Sequence, residues 1–198
     1  MLTILRRYGT LLGFLAILVF FSAMLPETFL TARNWLNITQ QLSMLMVVAA
    51  GMTIVMVMGD FDLSVGSMAS LAGIVAAVLF SFGYPVWLAV SAALLVGLVG
   101  GAINGALVSF IGILPFVATL ATLTIFSGAA FVISGGKTIS GRAIPEAFGS
   151  FAREGLFGVP NLTIVATIVT LVVWVLLEQT TLGRRLYAIG GNIEAALR

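Results

Sequence analysis

The sequence contains no cysteine and no histidine, and few of its residues are charged. The lack of cysteine excludes thiol chemistry and disulfides, and the lack of histidine removes the usual acid–base group. Without either residue, the usual zinc sites are excluded as well. Only 8% of the 198 residues are charged and 61% are hydrophobic, whereas a soluble domain has about 25% charged residues. The composition therefore predicts a membrane protein.

The basic residues give no sign of a nucleic-acid surface. The nine lysines and arginines are dispersed along the chain and the net charge is only +2, so no basic stripe of the kind that binds phosphate backbones is formed. We expect no nucleic-acid partner.

The sequence contains four long uncharged runs. They cover residues 8–26, 34–59, 63–136 and 155–177, and about 20 apolar residues are enough to cross a bilayer. The longest run must fold back on itself, and turn signals at 81–85 (SFGYP) and 112–115 (GILP) divide it into three parts. We predict an all-α polytopic helix bundle with six spans, at 8–25, 38–58, 63–80, 86–110, 115–133 and 162–177.

The charges that flank these spans predict their orientation. Arg6, Arg7, Arg184 and Arg185 adjoin the first and last spans, and basic residues next to spans favour the cytoplasm. We predict a cytoplasmic N-terminus, an external loop at 134–160 and a cytoplasmic segment at 178–198. A signal peptide is the alternative for the first span, but no cleavage site of small residues follows it, so we interpret it as a retained helix.

Asp60 and Asp62 stand between two apolar runs with no cation near them in the sequence. A carboxylate near the bilayer centre costs about 2.5–3.5 kcal/mol, so the pair must face a cavity, a turn or a partner. One interpretation is a short cytoplasmic turn in which Asp62 or Ser64 caps the next helix. The other is a broken helix whose free amides point into a polar pathway.

Gly97, Gly101 and Gly105 recur every four residues in the fourth span and leave one helix face nearly bare. Such a face lets another helix approach closely. Packing within this chain is the first interpretation, and a seam between two chains is the second. The neighbouring amide of Asn104 is suited to an interhelical hydrogen bond or to contact with a translocation pathway.

Thr119, Thr122 and Phe126 are spaced three and four apart, so they share one face of the fifth span. Threonine in a membrane helix usually bonds its own backbone. A stripe of hydroxyl and aromatic groups is also typical of a surface that contacts a sugar.

The string 134–138 (SGGKT) is not a phosphate-binding loop, because Phe131 stands where the motif requires its first glycine. We therefore expect no nucleotide site, no bound cofactor and no catalytic residue. Any function that depends on ATP requires an ATPase on another chain.

The last residues form a small polar and glycine-rich segment. Asn192 is a good helix N-cap and Glu194 favours the dipole of a helix that begins there. Glycines before this helix and alanines on it make a compact knob for a partner's groove, and the alternative is an ordinary interfacial helix. The residues of this segment are Gly190, Gly191, Asn192, Glu194, Ala195 and Ala196.

Three of these segments, in this order, resemble one family. The strings 59–67 (GDFDLSVGS), 115–122 (PFVATLAT) and 188–196 (AIGGNIEAA) are similar to those of membrane permeases of bacterial ABC importers for monosaccharides, the ribose, xylose and arabinose group. The strings 100–105 and 180–184 resemble further family positions.

The resemblance implies a transport subunit rather than an enzyme, located in the bacterial inner membrane. It implies three protein partners: a second permease, identical or a close paralogue, a cytoplasmic ABC ATPase and an extracytoplasmic sugar-binding protein. The segment 192–198 would then dock on the ATPase, and the monosaccharide would be moved by alternating access. Asp60, Asp62, Ser64, Asn104, Thr119, Thr122 and Phe126 are the candidates for the translocation pathway.

Members of this family continue well beyond the position where this sequence stops. We therefore expect residues 1–198 to be a single permease domain that corresponds to the N-terminal part of a longer fold. A self-contained transporter or channel with Asp60 and Asp62 as an ion relay remains an alternative, as does an ABC permease for amino acids or nucleosides.

Overall fold

The structure is a computed structural model that describes residues 2–191. The described chain is almost entirely helical, with one two-stranded antiparallel ribbon. Its elements are α1 (Leu2–Met24), α2 (Pro26–Phe29), α3 (Ala32–Val57), α4 (Val65–Ser81), α5 (Val86–Ser109), α6 (Pro115–Ser134), α7 (Glu146–Arg153), β1 (Gly155–Leu156), β2 (Val159–Pro160), α8 (Asn161–Gln179) and α9 (Thr181–Gly191).

The predicted all-α polytopic fold is confirmed, and each of the six predicted spans coincides with one helix. Four helices, α3, α5, α6 and α8, are long and apolar enough to cross a membrane. Tyr8–Met24 and Val65–Ser81 form two shorter apolar segments. The predicted turns also mark where two helices begin. Pro85 is the N-cap of α5, and Pro115 is the first residue of α6, a position where proline is tolerated.

The helices form two groups. In the first, α4 packs closely against α5 and α6. Leu71 of α4 joins Phe126 and Ala130 of α6 in a small buried core. A Cβ built on Gly100 of α5 would lie 1.8 Å from the Met68 Cε atom, so α4 and α5 approach at this glycine.

In the second group, α3 packs against α8 and α9. A seam of hydroxyl groups joins α3 to α8. The Ser43 hydroxyl donates to the Thr39 carbonyl at 2.7 Å, and its Oγ lies 3.2 Å from Thr163 Oγ1. Ser43 is only 2% exposed, so the seam is buried.

The segment 134–160 is folded rather than an open loop. It contains a 3-10 turn at Gly141–Ala143, then α7 and the β1–β2 ribbon. The Gln40 side chain of α3 donates to the Ala152 carbonyl at 2.7 Å, and Phe148 packs on Phe80 of α4 at a ring distance of 5.0 Å. These contacts tie the segment to both helix groups, and its predicted external position stays a prediction.

Helix α9 differs from the expectation for the end of the chain. The helix already spans Thr181–Gly191, and the Thr180 hydroxyl accepts a hydrogen bond from the Gly183 amide at 3.1 Å at its start. Gly190 and Gly191 thus lie inside a helix, where the prediction placed them before one. The helix that Asn192 was predicted to cap lies outside the described residues. The same holds for Asn192 itself and for Glu194, Ala195 and Ala196.

Candidate functional site

The two aspartates lie in the short connection between α3 and α4. Helix α3 ends at Val57, and Gly59 follows with a φ of +86°, a conformation that residues with a side chain rarely adopt. Asp60 and Asp62 follow it directly, outside either helix. The structure therefore places both carboxylates in the connection between α3 and α4.

A hydrogen-bond network fastens this connection to α5. Asp62 Oδ1 accepts hydrogen bonds from the Ser64 amide at 2.7 Å and from the Ser64 hydroxyl at 2.6 Å. Ser64 Oγ in turn accepts from Asn104 Nδ2 at 2.8 Å. Ser64 is 1% exposed, so the link between the helices is sealed from solvent.

The network leaves one acceptor of Asn104 unpaired. A hydroxyl has a single proton, and the proton of Ser64 goes to Asp62, so the Asn104 group that faces Ser64 must be the amide donor. The carbonyl oxygen of Asn104 then points elsewhere, and it is buried without a hydrogen-bond partner in the described part of the chain. Buried polar atoms without partners are rare and mark places of functional interest.

A cavity of about 420 Å³ lies beside this network. The end of α3, the connection, α5, the start of α6 and α9 all contribute to its wall. Its lining residues are Val55, Met58, Asp60, Phe61, Asp62, Gly101, Asn104, Gly105, Val108, Ser109, Pro115, Thr119 and Ile189. Among the described residues, the lining contains two carboxylates and no lysine or arginine.

Four of the predicted pathway residues line this cavity together: Asp60, Asp62, Asn104 and Thr119. Ser64 lies directly behind them in the network. The Thr119 hydroxyl donates to the Pro115 carbonyl at 2.8 Å, as expected for threonine in a membrane helix.

Thr122 and Phe126 are placed elsewhere. Thr122 is 2% exposed and its hydroxyl donates to the Thr119 carbonyl at 3.3 Å. Phe126 belongs to the core of the first helix group and lines a separate apolar cavity of about 260 Å³ with Met68 and Leu71. These two residues share a face with Thr119, but that face turns from the cavity into the core.

The glycine face of α5 does not pack on another helix in the part of the chain that the structure describes. A Cβ on Gly97, Gly101 or Gly105 would meet no atom within 4 Å. The close helix contact is at Gly100 instead. Gly101 and Gly105 leave space in the cavity wall, so the first interpretation of the face, packing within the chain, is not what the described residues show.

Helix α9 reaches the same cavity through Ile189, which no sequence signal indicated. It also touches the end of α3, because a Cβ on Gly190 would lie 2.0 Å from the Val57 carbonyl oxygen. The helix backbone is thus in contact with the residues that precede the aspartate connection. Residues far apart in the sequence meet here, which is why the spacing of motifs did not predict it.

One further contact holds α9 to α8. The Tyr187 hydroxyl donates to Glu178 Oε1 at 3.1 Å. This hydrogen bond to a carboxylate raises the pKa of the exposed Tyr187 phenol, because it stabilises the protonated form.

The comparisons with known proteins agree on the type of protein. Residues 34–197 match the model of a family described as "Branched-chain amino acid transport system / permease component". The chain is 38% identical to the ribose import permease protein RbsC of Bacillus subtilis over 98% of this chain and 60% of that protein. It is 37% identical to the D-allose transport system permease protein AlsC of Escherichia coli K12, over 96% of this chain and 58% of that protein.

A third relative has a different cargo in its name. The chain is 38% identical to the autoinducer 2 import system permease protein LsrD of Klebsiella pneumoniae, over 76% of this chain and 46% of that protein. The chain thus spans about 60% or less of the length of these relatives. No solved structure matches it.

Proposed function

We propose that the chain is the membrane subunit of an ABC importer for a monosaccharide. The chain belongs to the family of permease components of the branched-chain amino acid transport system type, which supports a transport subunit. The sugar class is supported by the relatives that are named for ribose and allose import. The bacterial inner membrane is the location that such a subunit requires. ATP hydrolysis would be carried out by a partner chain.

The single observation that supports this function best is the acceptor-rich cavity between the aspartate connection and α9. At about 420 Å³ it falls in the range of about 300–1,000 Å³ that small-molecule sites occupy. Sugar hydroxyls are hydrogen-bond donors, and the Asp60 and Asp62 carboxylates in the lining offer acceptors. The apolar lining, with Phe61 and Val108, suits the carbon face of a sugar ring.

The residues around this cavity have separate roles in the proposal. Asp60, Asp62, Asn104 and Thr119 contact the moving sugar, and Ser64 holds Asp62 and Asn104 in place. Thr122 and Phe126 continue the same face of α6 into the core, and their packing favours a structural role beside the pathway.

Coupling to the ATPase is assigned to α9 and the residues after it. Gly190 brings α9 against the α3 carbonyl that precedes the aspartate connection, and Ile189 enters the cavity wall. A push on this helix would therefore be transmitted to the connection and to the cavity. Gly190, Gly191, Asn192, Glu194, Ala195 and Ala196 form the proposed docking segment, and a second permease and an extracytoplasmic sugar-binding protein complete the importer.

The test is a Gly190→Val variant in the importer assembled with its ATPase and binding protein. The added side chain would collide with the Val57 carbonyl and displace α9, so sugar-stimulated ATP hydrolysis should fall by about tenfold or more. Ala188→Val adds similar bulk on the exposed face of the same helix and serves as the control. Normal stimulation in Gly190→Val would contradict the coupling role.

A self-contained transporter with an ion relay is the second candidate, favoured by two carboxylates in a cavity lining that has no cation. The two candidates differ in their energy source. Uptake that follows a proton gradient and survives loss of the ATPase would select the relay, and uptake that stops without the ATPase would select the importer.

A further inference from the structure

We propose that the cavity is a charge filter, which admits neutral or cationic ligands that donate hydrogen bonds and repels anions. The inference rests on the proposed function only in naming the substrate class: free sugars would enter, and phosphorylated or acidic sugars would not. The filter itself is a property of the described residues.

The first support is the state of the two carboxylates. The Asp60 side chain makes no hydrogen bond or ion pair within residues 2–191, and no basic side chain lines the cavity. Asp62 uses Oδ1 for both of its contacts with Ser64. The cavity therefore carries two formal negative charges that no neighbouring cation in its lining compensates.

The second support comes from α5, independently of the aspartates. Asn104 is 8% exposed and lines the cavity, and its carbonyl oxygen has no partner. Its amide nitrogen donates to Ser64, which fixes the orientation of the side chain. Every residue that α5 contributes to the lining is thus uncharged.

Donors are scarce by comparison. The lining holds two hydroxyl groups, and the Thr119 hydroxyl is already bonded to the Pro115 carbonyl. Ser109 has the remaining hydroxyl. An anion here would face two negative charges and lose its hydration for few donors, whereas a polyol would satisfy the acceptors.

Single cysteines can test this filter, because the chain has no native cysteine. A Ser109→Cys variant places a thiol in the cavity wall. The thiol is reacted with two methanethiosulfonates of similar size, one with a trimethylammonium group and one with a sulfonate group. Each rate is divided by the rate of the same reagent with free 2-mercaptoethanol, which removes intrinsic reactivity.

The cationic reagent should react about tenfold faster than the anionic one at Ser109→Cys. Adding Asp60→Asn should lower this ratio several-fold without disturbing the network, since the Asp60 side chain has no partner in it. Ile111→Cys is the control, because Ile111 follows the same helix, is 66% exposed and does not line the cavity. Its ratio should stay near one.

Equal rates for the two reagents at Ser109→Cys would overturn the filter. So would a failure of both reagents to react, or a ratio that Asp60→Asn leaves unchanged. The assay requires no transport, so its failure would leave the importer proposal standing. Conversely, the reagent rates could depend on charge while sugar uptake does not require the ATPase. That result would contradict the importer proposal and leave the charge filter standing.

Discussion

Two buried polar contacts join membrane helices in this protein, and they differ in what they leave unpaired. In the seam between α3 and α8, the Ser43 hydroxyl has both the Thr39 carbonyl and the Thr163 hydroxyl within hydrogen-bond distance. In the network between α4 and α5, the Asn104 carbonyl oxygen has no partner in the described chain.

The seam contains only hydroxyl side chains, whereas the network adds a carboxylate and an amide to a hydroxyl. The two contacts also differ in whether their hydrogen bonds are closed. A closed contact between membrane helices is a packing device, worth about 0.6 kcal/mol on average. An open one carries a cost of about 1–3 kcal/mol for the unpaired group. Such a cost is expected where function requires it, and here the open network borders the cavity.

The largest difference between the two regions should appear when the charge of the open network is removed. Asp62→Asn keeps the size of the side chain but removes one of the two negative charges of the cavity. Uptake of labelled sugar by cells with the complete importer should fall by about tenfold or more. Glu27→Gln removes a carboxylate of α2, outside the cavity, and should leave uptake unchanged. Uptake within twofold of wild type in Asp62→Asn would show that the connection is only a turn.

Asn104→Leu should have two smaller effects: stability should be unchanged or raised, and uptake should fall. Leucine has nearly the same shape, and it removes the unpaired oxygen, so thermal stability in detergent should be unchanged or raised by up to about 1–3 kcal/mol. Ser64 keeps its hydrogen bond to Asp62 in this variant. Uptake should nevertheless fall several-fold, because the variant removes the hydrogen bond that fastens the aspartate connection to α5. A clear loss of stability together with normal uptake would make Asn104 a packing residue like Ser43.

The smallest effect belongs to the closed seam. Ser43→Ala removes one hydroxyl, and Thr163 still lies 3.4 Å from the Thr39 hydroxyl. We expect a loss of about 0.6 kcal/mol in unfolding free energy, measured by thermal unfolding, and sugar uptake equal to that of wild type. A strong uptake defect here would remove the contrast between the two contacts.

Helix positions were predictable because the signals for them are local. Proline and glycine at 85, 112 and 115 divide an uncharged run that is too long for one span. Helix α5 begins directly after Pro85, and α6 begins at Pro115. The pathway face of α6 was only partly predictable. Helical spacing puts Thr119 and Phe126 on one side of the helix. It does not indicate that Thr119 lines the cavity whereas Phe126 packs in the core.

The sequence alone determined that the chain is a helical membrane protein with six apolar segments, because apolar length and the absence of charge decide partitioning into a bilayer. The tertiary structure decided the rest. Asp62, Asn104 and Ile189 come from separate elements, and only helix packing brings them to one cavity. The neighbouring helices likewise decided that Gly100 makes the close contact and that Gly101 and Gly105 leave space. All of these glycines have the same helix propensity, so the sequence could not distinguish them.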